Sequence, residues 1–176
     1  MLKEFPQILE TRQTGYFPLV ADGEVADICV DESDYPVVGI TAAMLSDDVE
    51  RVTGRKAEVH SASTLQDCSQ QPAVIAGTIG HSALIDQLIE QGLIEADGIR
   101  GQWEASIIAT VKHPDTQQPL LVVAGSDRRG TAFGLTSLSR AIGVSPWYWW
   151  ADVAPAHKDQ LYVQAGRYIE QGPSVL

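Results

Sequence analysis

A short turn with two arginines offers the most promising chemistry in this chain. It consists of Ser126, Asp127, Arg128 and Arg129, set between two glycines. A guanidinium presents a planar set of donors that fits a carboxylate, and a helix beginning here would add free backbone N–H groups. No acid elsewhere in the sequence offers an obvious partner for the arginines. The turn is therefore a candidate carboxylate site, although a tight passage from strand to helix also explains its glycines.

An aromatic run follows later in the chain and holds three of the four tryptophans. The run consists of Trp147, Tyr148, Trp149 and Trp150, followed closely by Asp152. Each tryptophan ring can bury roughly 150–250 Å², so the run dominates any surface that it joins. Such rings stack on sugars or anchor protein interfaces, and the alternative is that some of them turn into the domain's own core. We expect the run to make a substrate contact or an interdomain contact.

A second glycine-containing loop, Gly77–Ser82, also follows an apolar run and precedes a predicted helix. Its spacing matches neither the phosphate-binding loop nor the dinucleotide-binding fingerprint. The simpler interpretation is a tight turn in which Ser82 caps the helix. An anion-binding α/β protein is therefore the weakest of the possible functions.

Residues suited to acid–base or metal chemistry are scattered along the chain. We expect each of the four histidines to be a surface residue, because their spacing is typical of neither a metal site nor a serine–histidine pair. They are His60, His81, His113 and His157. Glu104 and Asp152 adjoin aromatic residues, and burial would be needed to give either of them a chemical role. We predict no catalytic residue, no metal site and no cofactor.

Strands and helices alternate in the hydrophobic pattern. Strand-like runs are found at 25–30, 57–60, 73–76, 103–111 and 120–124, with a possible short strand at 160–163. Apolar residues at helical spacing predict helices over about 36–53, 82–91 and 129–142, with Asp34 and Ser82 as caps of the first two. The run 103–111 alternates as a strand with one exposed face, and the short turn after it predicts an antiparallel hairpin with 120–124. These elements predict an α/β sandwich, a mixed sheet of about five strands with helices mainly on one face.

Composition excludes several classes of protein. The 176 residues suffice for one domain, and 44% hydrophobic and 20% charged residues are typical of a soluble globular protein. A net charge of −11 argues against nucleic acid or an anionic membrane as partner. No apolar run approaches the roughly 18 residues of a membrane span, and no signal peptide precedes the domain, so the localisation is left open. Nothing in the sequence brings Cys29 and Cys68 within bridging distance, so we expect no disulfide.

Four stretches of the chain together resemble the N-terminal domain of glycoside hydrolase family 115, the xylan α-glucuronidases. They are Asp47–Gly54, Ile75–Ser82, Gly101–Glu104, and the long stretch from Ala124–Thr131 through Gly143–Val153. The last of these is highly specific, and the resemblance extends from about Phe17 to Val175. Related α/β domains precede the catalytic barrels of other α-glucuronidases and of β-hexosaminidases. The resemblance implies an enzyme that removes 4-O-methyl-glucuronic acid from xylan with inversion of configuration.

The resemblance also implies a division of the chain. Residues 1–16 would be an N-terminal extension, 17–170 an α/β accessory domain, and 171–176 the start of a linker to a (β/α)₈ barrel absent from this chain. That barrel would supply the catalytic carboxylates, which inverting enzymes hold about 6.5–9.5 Å apart, so no catalytic residue can be carried over to this sequence.

We therefore expect a non-catalytic domain that packs on and supports a catalytic barrel acting on glucuronoxylan. A stand-alone carbohydrate-binding module that uses Trp147–Trp150 is the alternative function. The expected partners are the barrel, or a second copy of the chain through the same exposed face, and a glucuronoxylan oligosaccharide. An uncovered interface would also make the isolated chain self-associate.

Overall fold

The computed structural model describes residues 5–145 and 153–171. The strands are β1 Ile8–Leu9, β2 Phe17–Ala21, β3 Glu24–Val25, β4 Asp27–Val30, β5 Val59–Ser61, β6 Ala73–Thr78, β7 Ala105–Lys112, β8 Pro119–Gly125, β9 Leu161–Val163 and β10 Arg167–Gln171. The helices are α1 Pro36–Thr53, α2 Ala83–Glu90 and α3 Arg128–Ala141, with a 3₁₀ turn at Leu65–Cys68. None of the helices in this part of the chain is long and apolar enough to cross a membrane.

The main sheet has six strands in the order β10-β7-β8-β6-β4-β5. Strands β8, β6, β4 and β5 are parallel, whereas β7 is antiparallel to both β8 and β10. Helices α1 and α3 pack on one face, and α2 packs on the other together with the 3₁₀ turn. The predicted mixed α/β sandwich with helices mainly on one face is therefore confirmed.

A second, smaller sheet has the order β1-β9-β2-β3. Its inward side chains, among them Phe17, Leu19 and Leu161, are fully buried in the core that α1 and α3 share with the main sheet. Of the four strands of this smaller sheet, only β9 and part of β3 lie in regions predicted to be strands. Strand β1 belongs to the stretch expected to be an extension, and β10 runs across the predicted boundary at 170.

Strand β7 corrects the expectation of one exposed face. Residues Ala105–Ala109 are buried on both sides, because α3 covers one face and the α2 cluster covers the other. The alternation seen in the sequence came partly from Trp103, which precedes the strand and is 85% exposed.

The N-cap residue of α2 is the one predicted from the sequence, whereas that of α1 is not. The Ser82 hydroxyl accepts a hydrogen bond from the Ile85 N–H at 3.3 Å, as predicted for a cap. At α1, Tyr35 is the N-cap residue and makes no side-chain cap bond. The prediction that Asp34 caps α1 is wrong. Its carboxylate accepts hydrogen bonds from the backbone N–H groups of Tyr35 and Thr78 and so joins the start of α1 to β6.

Candidate functional site

The strand order creates a crevice at the carboxyl ends of β4 and β6. From β4 the chain passes through α1 to β5, which lies beside β4 at one end of the strand order. From β6 it crosses through α2 to the opposite side, where β7 and β8 lie. Such a reversal is the place where open α/β sheets bind ligands. The loops after β4, β6 and β8 meet there, and the third loop is the arginine turn.

Two acids in the loop after β4 hold backbone groups together. One oxygen of Asp31 accepts from the N–H and hydroxyl of Ser33, and the other accepts from the N–H of Ala83 at 2.7 Å. Burial of Asp31 disfavours its charged form, yet the hydrogen bonds from Ser33 and Ala83 outweigh burial and hold the pKa of this carboxyl below its usual value. Asp31 and Asp34 therefore fix the crevice wall.

An aromatic and cationic cluster lies at the mouth of the crevice. The Tyr35 hydroxyl lies 2.9 Å from His81 Nε2, and the two ring centroids are 4.4 Å apart. The guanidinium carbon of Arg128 lies 5.7 Å from the Tyr35 ring centroid, within cation–π range. Within the described residues Arg128 forms no ion pair.

The rest of the arginine turn is engaged within the chain. Asp127 caps α3 through Gly130 N–H at 2.7 Å, and its other oxygen accepts from Glu104 N–H at 3.0 Å. The Ser126 hydroxyl accepts from Ala105 N–H at 3.0 Å. Arg129 is paired with Glu104 at 3.1 Å, which corrects the expectation that the arginines have no partner in the chain. The β7–β8 hairpin brings Glu104 beside this turn, although the two are distant in sequence.

Glu104 has a conformation that its pairing explains. Its backbone φ is 54°, in the left-handed region that residues with a side chain rarely adopt. The N–H bond to Asp127 and the ion pair to Arg129 hold it there, and its side chain is only 11% exposed. The exposed indole of Trp103 precedes it directly. Sequence reasoning noticed the acid beside an aromatic residue but missed its partner.

An apolar groove separates the beginnings of α1 and α3. Pro36, Val37, Ala132 and Phe133 line it, and Tyr35, Arg128 and Arg129 complete its rim. The apolar surface continues along α1 through Ile40 and Met44, which are 61% and 52% exposed. We call Val37, Ile40, Met44 and Phe133 the α1/α3 face. Contiguous exposed apolar side chains with a cationic rim are typical of an interaction surface.

The predicted aromatic contact residues Trp147, Tyr148, Trp149, Trp150 and Asp152 lie outside the described residues. Their assignment to a substrate or interdomain contact stays a prediction. Within the described chain, the residues that lie near the arginine turn are Tyr35, His81 and Trp103. The sequence did not predict any of the three as a site residue.

His113 and His157 lie in opposite environments, one buried and one exposed. The prediction that His113 lies on the surface is wrong, because the residue is fully buried. Its Nε2 bonds to the carbonyl of Leu65 at 2.9 Å, and its Nδ1 accepts from Asp115 N–H at 3.1 Å, so the ring fastens the β7–β8 turn to the 3₁₀ turn. His157 faces Asp159 at 2.9 Å on the surface.

Two further groupings were not expected from the sequence. His60 lies beside Asp27 and Glu58 at the edge of the main sheet. Cys29 and Cys68 are buried free thiols, and the Cys68 thiol donates to the carbonyl oxygen of Thr64 at 4.0 Å. The neighbouring Cys68 thiol, together with burial, raises the pKa of the Cys29 thiol. Pairing of β4 with β5 brings the first group together, whereas the cysteines meet in the buried cluster that β4 forms with the 3₁₀ turn.

The comparison with solved structures identifies the fold. Among 37 matching chains is a family GH115 4-O-methyl-α-glucuronidase with specificity for decorated arabinogalactans. It is 34% identical, matches 82% of this chain, and superposes with a TM-score of 0.64. The chain has a GH115-like fold.

The match extends over only part of the larger protein. The chain spans 17% of the length of that α-glucuronidase. No protein-family model matches the sequence, and the search of curated proteins found no match. The likeness therefore concerns one part of that larger enzyme, and it gives no position for catalytic residues.

Proposed function

We propose that this chain is the non-catalytic N-terminal domain of an α-glucuronidase-like glycoside hydrolase, and that it packs on and supports the catalytic domain. The observation that carries the proposal is the 34% identity over 82% of the chain to one part of a GH115 enzyme. As proposed from the sequence, residues 17–170 form the accessory domain and the catalytic domain is a barrel. The reaction belongs to that barrel, and the role of this chain is structural.

The acids at the crevice support a non-catalytic role. Inverting glycoside hydrolysis needs one carboxyl group as acid and another as base around the sugar and a water. Here Asp31, Asp34 and Asp127 accept backbone hydrogen bonds, and Glu104 is paired with Arg129. A group held in this way has a positioning task already, and proton transfer would break the contacts that shape the crevice.

The α1/α3 face is the surface that we assign to the catalytic domain. It combines exposed apolar side chains with Arg128, a cation without an ion pair among the described residues. The chain as a whole carries a net charge of −11, so a cation at this position is suited to one particular acid of a partner. We propose that the catalytic domain supplies an apolar side chain to the groove and a carboxylate to Arg128.

A chimera tests this function. This chain replaces the matching part of the GH115 relative, and activity is measured on glucuronoxylan and on decorated arabinogalactan, the polysaccharide named for the relative. We expect an active chimera, and an isolated chain without turnover on either polysaccharide. Glucuronoxylan is the proposed substrate of the native enzyme, on the strength of the sequence resemblance.

Surface variants in the chimera locate the interface. Phe133→Asp combined with Arg128→Glu should lower its melting temperature and its activity, whereas Glu90→Lys, on the opposite face at the end of α2, should leave both unchanged. Turnover by the isolated chain at a rate comparable with the chimera would refute the non-catalytic role. A chimera indifferent to the Phe133 and Arg128 changes would refute the docking surface.

A second function, binding of an acidic oligosaccharide, has one observation in its favour. Trp103 is 85% exposed at the same edge as Arg128, so a ring for stacking and a cation for a uronate carboxylate are both available. The sequence-based prediction assigns carbohydrate binding to Trp147–Trp150, which lie outside the described residues. Titration of tryptophan fluorescence with glucuronate-bearing xylo-oligosaccharides tests this function, with Trp103→Ala as the variant that should lose the response.

A further inference from the structure

A group of three potential metal ligands lies at the far edge of the main sheet, away from the crevice. Strands β4 and β5 are parallel, and Cys29 pairs in register with His60. Because side chains alternate along a strand, Asp27 projects to the same side as Cys29, and Glu58 to the same side as His60. The two carboxylates and the imidazole therefore converge on one face of two neighbouring strands.

The distances between these groups fit a shared ion better than direct hydrogen bonds. His60 Nε2 lies 3.4 Å from Asp27 Oδ2 and 3.3 Å from Glu58 Oε2, and the three ligand atoms lie within 4.8 Å of one another. Charge-assisted N–H···O bonds are shorter, about 2.7–2.9 Å. Ligands about 2.1 Å from a tetrahedral zinc ion stand roughly 3.4 Å apart.

We propose that Asp27, Glu58 and His60 bind a divalent transition-metal ion such as Zn²⁺. The imidazole favours such an ion over Mg²⁺ and Ca²⁺, which prefer oxygen ligands alone. The side chains of Asp27, His60 and Glu58 are 22%, 45% and 78% exposed, so the site is open to an ion and to a water as fourth ligand. The net charge of −11 favours cation binding.

The bound ion would fasten an otherwise weak strand. Strand β5 has three residues, all exposed, and within the part of the chain that the structure describes it pairs with β4 alone. A metal held by Asp27 on one side and by Glu58 and His60 on the other links this edge strand directly to β4. Since the ion binds the folded chain, it should raise the melting temperature in proportion to the logarithm of its concentration.

Titration of the full chain with ZnCl₂ tests the site. Calorimetry measures the binding, in the presence of a reductant that does not bind metal ions. We expect one ion per chain and a higher melting temperature. Glu58→Gln and His60→Ala should each weaken Zn²⁺ binding at least tenfold, and circular dichroism should show that both variants are folded. His157→Ala is the matched control, because His157 is also exposed beside an acid, and it should bind Zn²⁺ as the native chain does.

Three results would overturn the proposal. One is Zn²⁺ affinity that survives Glu58→Gln and His60→Ala. Another is affinity lost on Cys68→Ala, which would assign the ion to the buried thiols. The third is equal displacement of Zn²⁺ by Mg²⁺ at the same concentration, because that would indicate attraction to acidic surface charge alone. None of these results depends on the proposed role as a hydrolase domain.

Discussion

Asp127 shows how one side chain can organise the start of a helix and a neighbouring loop together. Its two carboxylate oxygens accept from the N–H groups of Gly130 in α3 and Glu104 before β7. The first bond caps the helix, and the second holds Glu104 where it pairs with Arg129. The acid in the arginine turn is therefore a scaffold for the cations rather than a reacting group.

Replacing Asp127 by alanine should destabilise the chain by about 2–3 kcal/mol, because it removes a helix cap and a second hydrogen bond to a constrained N–H. Asp127→Asn should lose less, since its one amide oxygen can still cap α3. Ser82→Ala, which removes a single cap bond at α2, should cost about 1 kcal/mol. Urea unfolding followed by circular dichroism measures all three. Equal losses for Asp127→Ala and Ser82→Ala would contradict the double role.

Asp31 should make stability depend on pH in the acid range. Folding lowers the pKa of this carboxyl, so its contribution is fully present above the unfolded value of about 3.9 and is lost as the pH falls through the lower folded value. Asp31→Asn should destabilise the chain at pH 7 by about 1–2 kcal/mol, and its difference from the native chain should shrink as the pH falls below about 4.

Urea unfolding at several pH values checks this prediction for Asp31. Glu32→Gln removes the same charge from an exposed neighbouring side chain and serves as the control. A difference between the native chain and Asp31→Asn that stays constant down to pH 2 would show that the hydrogen bonds do not depend on the charge of the carboxylate.

Sequence reasoning at the residue scale succeeded where a role is local and failed where it depends on distant strands. Ser82 was predicted as a cap because a cap acts on the next few residues. The burial of His113 was missed because its partner Leu65 belongs to a distant turn. The same holds for Glu104 with Arg129, and for Asp27 with His60. His113 and Leu65 lie in two turns that pack together, whereas the other two pairs follow from strand pairing. In all three cases the contact joins residues far apart in sequence, so residue types and local spacing do not reveal it.

At the scale of the elements, the glycines of α3 permit a close approach between helix and strand. A Cβ on Gly130 would collide with the backbone of Ala105 in β7, and one on Gly134 would meet the Val123 side chain at 2.7 Å. The helix can therefore lie closely against the sheet only because these positions lack side chains. This packing explains the glycine after the arginine turn without a ligand.

Two glycine-to-alanine changes should have opposite signs. Gly130→Ala should destabilise the chain by several kcal/mol, because α3 must move away from β7. Gly39→Ala, in α1 with no atom within 4 Å of the added carbon, should stabilise it by about 0.5–1 kcal/mol, the usual difference in helix propensity. Thermal and urea unfolding give both values. A neutral Gly130→Ala would contradict the close packing of α3.

The three long helices were predictable, and several short strands were not. Hydrophobic spacing with terminal signals such as Pro36 and Gly54 predicted α1 almost to the residue. Strand β2 contains Pro18, which lacks a backbone donor, and it pairs with β9 near the other end of the chain. Two-residue strands such as β1 have no periodicity of their own. Their existence depends on the finished fold.

At the scale of the whole molecule, the N-terminal stretch tests where the domain begins. Strand β1 pairs with β9, and Phe5 and Ile8 pack against the main core. Deleting residues 1–16 should therefore destabilise the chain by about 2–3 kcal/mol, the value of two partly buried side chains. Arg12→Ala, which removes an exposed ion pair with Asp22 and a cation–π contact with Tyr162, should change stability by less than about 1 kcal/mol. A deletion without effect would support a boundary at 17.

The isolated chain should self-associate through the α1/α3 face, and salt should promote it. Ile40, Met44 and Phe133 are exposed there, which favours burial against a second copy, while the net charge of −11 opposes it. Screening weakens the repulsion, so sedimentation velocity should find more dimer at high ionic strength. Ile40→Ser with Met44→Ser should abolish the dimer, whereas Val59→Ser on edge strand β5 should not. The reverse result would indicate strand-edge pairing and leave the α1/α3 face without a demonstrated affinity.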